Sequence, residues 1–285
     1  MLFSETLIGE GTMNSMRSLL VVAVWMLAME STYAQDLANP LEPAKAPSRI
    51  FVGPVVGFNR VMQTGGFQYY ANPSDAPLCP TLEDGSSNGF FVGINTEIIL
   101  GDPKDSRSSL IFRVLYDRLP SSFRQFNDKL PTRIVDQQGQ PTTIMTSTEF
   151  AADVVYTTID FEAMYRFGLG TTGFGIQAGP VISYAMQKTV TQLFNLIEPS
   201  NAQFVPDPRY EYRNFNRTAV IYDGDIPESN ALRIGFKAGI QYEIFLRRMT
   251  IVPSLNYNFG ITNLTRNESW RVSAIQPQVD IRFAF

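Results

Sequence analysis

Asp160 and Glu162 stand two apart in TTIDFEAMYRF, and YDGDIPESN (222–230) carries Asp223, Asp225 and Glu228 around a glycine. Two carboxylates flanking a bond can hydrolyse a glycoside, and several acids on one tight loop can hold calcium. In an alternating segment, however, Asp160 and Glu162 lie on one face of one strand, where counter-ions can satisfy them. The 222–230 turn lacks the ligand spacing of a calcium loop and reads as a solvated acidic loop. No histidine occurs in the chain, which removes the commonest general base, metal ligand and activator of a nucleophilic Ser or Cys. Cys79, the single cysteine, precedes Pro80; it can form no intrachain disulfide or CxxC zinc pair and reads as an inert loop thiol. The sequence therefore assigns no catalytic, cofactor-binding or metal-binding residue, and a protein that is not an enzyme is expected.

The formal charge of −4 is spread over the chain, with no basic stripe to neutralise phosphates. The Arg/Tyr-rich RYEYRNFNR (209–217) is flanked by acids, so no nucleic-acid partner is expected.

These residues sit in a chain that alternates. Strands are predicted at 50–61, 88–100, 109–118, 154–167, 173–186, 232–245, 250–261 and 271–285, from period-two patterns such as the closing IQPQVDIRFAF. Short connections (101–107, 168–172, 246–249) alternate with mostly longer ones (62–87, 119–153, 187–231, 262–270). Eight strands with tight turns at one end and long loops at the other form the pattern of an outer-membrane barrel: all-β, antiparallel, up-and-down and transmembrane. RIVDQQGQPTTI (133–144) reads as a hairpin tip carrying two strands beyond the membrane.

Alternation alone is equally compatible with an exported soluble barrel, apolar inside. The glycines favour the membrane: Gly53, Gly57, Gly93, Gly175, Gly179, Gly235, Gly239 and Gly260 share the polar phase with Asn59, Asn95, Gln177, Lys237 and Asn258. On a solvated face a strand glycine gains nothing, whereas inside a narrow barrel small residues make room for long charged ones. The apolar phase carries rings toward strand ends, as aromatic girdles do. At the N-terminus, Met16-Arg17 leads into LLVVAVWMLAM and then ESTYA. Residues 1–34 read as a signal peptide with an over-long start (Met13 or Met16 as initiator) and 35–48 as a Pro-rich periplasmic linker. No cysteine follows the apolar run, so no lipoprotein anchor is expected.

From about Arg49 to Phe285, with VGPVVGFN and the final FAF as the most suggestive pieces, the chain resembles the eight-stranded outer-membrane β-barrels of Gram-negative bacteria, the broad OmpA-like or PorT-like class. The resemblance implies residence in the cell outer membrane, contact with its lipid and lipopolysaccharide, and recognition of Phe285 by the outer-membrane assembly machinery. No peptidoglycan-binding domain follows residue 285, so cell-wall tethering is not implied. The N-x-S/T sequons at Asn216, Asn263 and Asn267 are discounted in a chain of this class.

The expected lumen sets Glu97, Asp117, Asp160, Glu162, Glu243 and Asp280 against Arg113, Arg166, Arg233, Lys237 and Arg282. A selective pore is lined by one sign or by a continuous wet path. Near balance favours a closed bore and a structural or interaction role, with long loops displayed outside for a ligand the sequence does not name; a narrow channel or transport-accessory barrel is the alternative. Counting from the turns, Arg113 is expected to bridge Glu97 and Glu162, with Asp160 in reserve. If the odd-numbered face of the last strand is an assembly signal, Phe285→Asp should lower membrane insertion and leave export intact, as read from the heat-shifted gel band of the membrane fraction; undiminished insertion would contradict it.

Overall fold

The computed structural model describes residues 48–67, 82–103, 105–136, 139–170, 172–246 and 249–285. The expected signal peptide, Cys79 and all of the linker but Ser48 lie outside them. Thirteen strands form one sheet among these residues: β1 (Ile50–Phe67), β2 (Leu82–Ile99), β3 (Ser108–Arg118), β4 (Ser121–Val135), β5 (Pro141–Gly168), β6 (Phe174–Glu198), β7 (Gln203–Phe204), β8 (Glu211–Arg213), β9 (Thr218–Asp225), β10 (Leu232–Tyr242), β11 (Ile244–Phe245), β12 (Met249–Gly260) and β13 (Trp270–Ala284). Eight of them close a ring, β1-β2-β3-β5-β6-β10-β12-β13, with every neighbouring pair antiparallel. The chain is an eight-stranded up-and-down β-barrel, and all eight expected strands are in its wall.

The pairing fixes the shear. A path leaving β1 at Arg60 runs through Ile275, Tyr257, Ala238, Ala178, Tyr165, Leu110 and Ile98 and returns to β1 at Ile50, ten residues away. Ten residues of stagger over eight strands tilt the wall by about 40° from the axis. The shortest uninterrupted wall strand, β3, has 11 residues, enough to cross a bilayer at that tilt.

The two longest expected loops are folded. β5 has 28 residues and β6 has 25, well beyond the expected 154–167 and 173–186. Residues 119–153 supply β4 and the first part of β5; residues 187–231 supply the rest of β6 with β7, β8 and β9. The predicted hairpin tip is present: Val135 pairs with Pro141, and Asp136 closes the turn to Gln140, with Gly139 at a left-handed φ of 78°. The expected strand 232–245 breaks at Glu243, whose backbone N–H donates to the Gly173 carbonyl of the adjacent turn.

The seam joining first and last strands is interrupted twice. Paired residues of β1 and β13 keep one register throughout, yet pairing skips Gly53–Pro54 and Phe58–Asn59. Phe285 N–H donates to the Ile50 carbonyl, so even residues of β1 and odd residues of β13 aim their backbone groups at each other. Pro54 and Pro277 have those parities and lack the N–H, so the seam loses two donors. Gly53 lets the strands close up there, since a Cβ at that position would overlap the Ile281 carbonyl. In hydrocarbon a missing backbone bond is costly. The double variant Pro54→Val/Pro277→Val should therefore raise the temperature of the heat-dependent gel shift; a lower temperature would show that the wall needs the prolines for its bend.

Candidate functional site

The wall sorts its side chains by parity. In β13, Gln276, Gln278, Asp280 and Arg282 are buried, while Ile275, Val279 and Phe283 are exposed. In β5, Thr158, Asp160, Glu162 and Met164 point in, and Phe161, Tyr165 and Phe167 point out. All eight glycines of the polar phase lie on the inner side of the wall, as expected. Exposed Val56, Phe58, Val92, Ile94, Phe112, Val114, Ile176, Ile182, Ile234, Phe236, Ile240 and Leu255 extend the apolar belt around the barrel. A water-facing wall would bury these and expose the charges; this one is built for hydrocarbon.

The bore holds all eleven expected charges, and eight of them form one ionic chain. Glu162 accepts from Lys237 and from Arg113 (3.3 Å); Arg113 also reaches Asp280 at 2.9 Å and Gln177 at 3.1 Å. Asp280 meets Arg282, which pairs with Glu97 and Glu243; Arg166 closes the chain at the short-turn end by contacting the same two glutamates, at 3.0 and 2.6 Å. The other three charges have neutral partners. Asp117 accepts from Asn59 and Gln276, Asp160 from Thr158, and Arg233 donates to Ser183, Asn258 and the Val272 carbonyl.

The expected Arg113 bridge is half right. Glu162 is its cross-strand partner, but Glu97 is not. The β2–β3 register places Asn95 opposite Arg113 and Glu97 opposite Ile111, two residues nearer the turn. In so narrow a barrel Arg113 instead spans the bore to Asp280, on a strand separated from β3 by β1 and β2. That contact is tertiary and leaves no trace in sequence spacing. A small apolar cluster of Val55, Phe91 and Leu115 fills part of the bore beside it. Phe91 lies against Gly57, where a Cβ would strike the ring, and the Lys237 ammonium stands 5.5 Å from the ring centroid, within cation–π range.

Toward the long-loop end the barrel changes character. Inward positions of β5 run Glu162, Asp160 and Thr158, then become Tyr156, Val154, Ala152 and Phe150; those of β13 run Gln276, then Ala274, Val272 and Trp270. The apolar set joins Val61, Leu119 and Phe123 in one buried core. Trp270 packs edge-on to Phe123, and its indole N–H donates to Gln63, which in turn donates to the Leu119 carbonyl. At the same step the outer face turns polar, from Phe58 to Arg60, from Tyr116 to Arg118 and from Ile275 to Ser273 and Arg271. Beyond that level the sheet has the ordinary polarity of a protein in water, and its core plugs the bore.

The remaining polar motifs are locally satisfied. Arg209 pairs with Asp207 at 2.8 Å and holds that carboxyl down at about 2; Arg213 pairs with Glu211 at 2.8 Å; Arg217 donates to the carbonyls of Leu196, Ile197 and Pro199. Asp223 accepts from Thr191 and Glu228 from Asn267, and among the described residues no three His, Cys, Asp or Glu side chains gather as metal ligands would.

No family model matches the chain, and no curated protein matches it. Solved structures do. Neisserial surface protein A is 12% identical, over 85% of this chain and 100% of its own, at a TM-score of 0.33. Ail, the attachment invasion locus protein of Yersinia pestis, in complex with the heparin analogue sucrose octasulfate, is 8% identical over 82% and 99%, at 0.30. The outer membrane protease OmpT of Escherichia coli is 7% identical over 86% and 99%, at 0.31. The fold rests on the chain's own ring closure.

Arg113→Ala would leave Glu162 and Asp280, both fully buried, short of their shared counter-ion. Loss of one partner of a buried ion pair typically costs about 3–5 kcal/mol. A drop of that size in urea-unfolding free energy is expected, and an unchanged midpoint would show the chain of charges to be dispensable.

Proposed function

We propose that the chain is an integral protein of the bacterial outer membrane whose closed barrel carries a folded module outside the cell, in a structural or interaction role and without enzymatic activity. The observation that carries this reading is the double inversion of polarity: apolar outside and ionic inside along the wall, then polar outside and apolar inside above it. One sheet so built stands across a lipid–water boundary.

Two seals in series support a closed bore over the channel alternative. The ionic chain ties up eight of the eleven lumen charges, and the core around Trp270, Phe123 and Tyr156 caps the bore. A conducting path would have to break both. The displayed module has a second apolar cluster, Ile134, Leu196, Ala202, Phe204 and Ala219, so the extension keeps a defined shape far from the wall. The absence of histidine and the engagement of each bore acid by a basic or a neutral partner support a non-enzymatic role. Wild-type protein in planar bilayers is expected to show no steady current, whereas a large, ion-selective current would overturn the closed-bore reading.

A further inference from the structure

On three adjacent wall strands the outermost aromatic is followed, two residues on, by the first outward polar residue. Phe58 precedes Arg60 on β1, Tyr116 precedes Arg118 on β3, and between them on β2 Phe90 lies below Asn88. Phe58 is 70% exposed, and the Phe90 and Tyr116 rings lie 6.5 Å apart. This row marks the edge of the hydrocarbon at the long-loop end, and the two arginines stand directly on it.

Both guanidinium groups are exposed. Arg60 donates to Asn88 Oδ1 (3.2 Å) and Ser86 Oγ (3.1 Å), two neutral acceptors that lay it sideways along β2. Among the described residues neither Arg60 nor Arg118 has a carboxylate within ion-pair distance. Asp84, the outward acid on the same face, lies opposite Thr64, four residues beyond Arg60, or about 13 Å along the strand. Arg124, higher on β4, differs in that Asp153 neutralises it at 2.9 Å. Arg60 and Arg118 stand two strand spacings apart and two residues out of row, about 12 Å between their Cα atoms, each with a planar fork suited to phosphate oxygens.

We propose that Arg60 and Arg118 bind the phosphorylated headgroup of an outer-leaflet glycolipid, the lipid A portion of lipopolysaccharide, with its sugars over Asn88 and its acyl chains against Phe58, Phe90 and Tyr116. The proposal rests on the outer-membrane reading above and adds the residues that would form the site and the part of the lipid they hold. A headgroup with a phosphate at each end satisfies two separated forks; a phospholipid with one phosphate satisfies one.

The test uses full-length protein in phosphatidylethanolamine nanodiscs doped with bis-phosphorylated lipid A, monophosphoryl lipid A or phosphatidylglycerol, with retained lipid counted by native mass spectrometry. Wild type and Arg124→Gln should retain bis-phosphorylated lipid A equally. Arg60→Gln/Arg118→Gln should retain it roughly thirtyfold less, about fivefold for each basic residue at a membrane surface. Monophosphoryl lipid A and phosphatidylglycerol should be held less well by wild type. Equal retention by the double variant, an equal loss with Arg124→Gln, or equal retention of phosphatidylglycerol would each overturn the site. A heat-dependent gel shift establishes that every variant has folded. A wild-type protein that never enters nanodiscs would instead sink the membrane reading itself, a failure distinct from a folded barrel that ignores lipid A.

Discussion

Hydrocarbon offers a peptide backbone no hydrogen-bond partner but another part of the chain, and the barrel follows from that constraint. Each wall strand pairs on both sides because β1 meets β13, and closure at ten residues of shear sets a tilt that lets 11-residue β3 cross. The wall tolerates defects only where backbones can still approach. Pro54 follows Gly53 on β1, and Pro180 follows Gly179 on β6, beside a gap in β5–β6 pairing at Ala163 and Met164. At both sites a glycine lies against the carbonyl of the adjacent strand.

The same constraint decides what the bore can be. With the outer face committed to lipid, the long polar side chains go inward, where they share a narrow bore with Val55, Phe91 and Leu115. Isolated buried charges would be costly, so eight of them pair and the other three take neutral hydrogen-bond partners. The result is a network in which Arg113 and Arg282 each touch two or more acids, and in which no single pair can be exchanged without stranding another group. Such a network is weak evidence of net stability against an apolar core. It does fix which strand faces which across the bore.

Above the membrane surface the constraint lifts, and the chain reverts to ordinary burial. β5 runs through both regimes with its inward phase unchanged, so the inversion is written in residue type alone. The folded extension also explains how two long connections stay ordered. Phe150, Phe194 and Phe204 stack in sequence at centroid distances of 4.5 and 5.2 Å, linking the core that plugs the bore to the second cluster beyond it.

Strand number, wall phase and inward charges were legible in the sequence because a period of two under a lipid boundary leaves one assignment of faces: Phe161 outward forces Glu162 inward. The hairpin at 133–144 was legible for the same local reason, a turn between alternating segments. The extension of β5 and β6 was not, since beyond Val154 the inward Ala152 and Phe150 follow the parity of the wall but carry the opposite polarity, and a reading keyed to polarity stops at residue 154. Nor was the Arg113–Asp280 contact. Their 167 positions of separation become 2.9 Å only through closure of β1 on β13 and the accumulated shear, neither of which any local pattern encodes. Sequence fixed the side of the wall for each charge; the tertiary structure chose its partner, because partners across a bore are set by register and tilt summed around the ring.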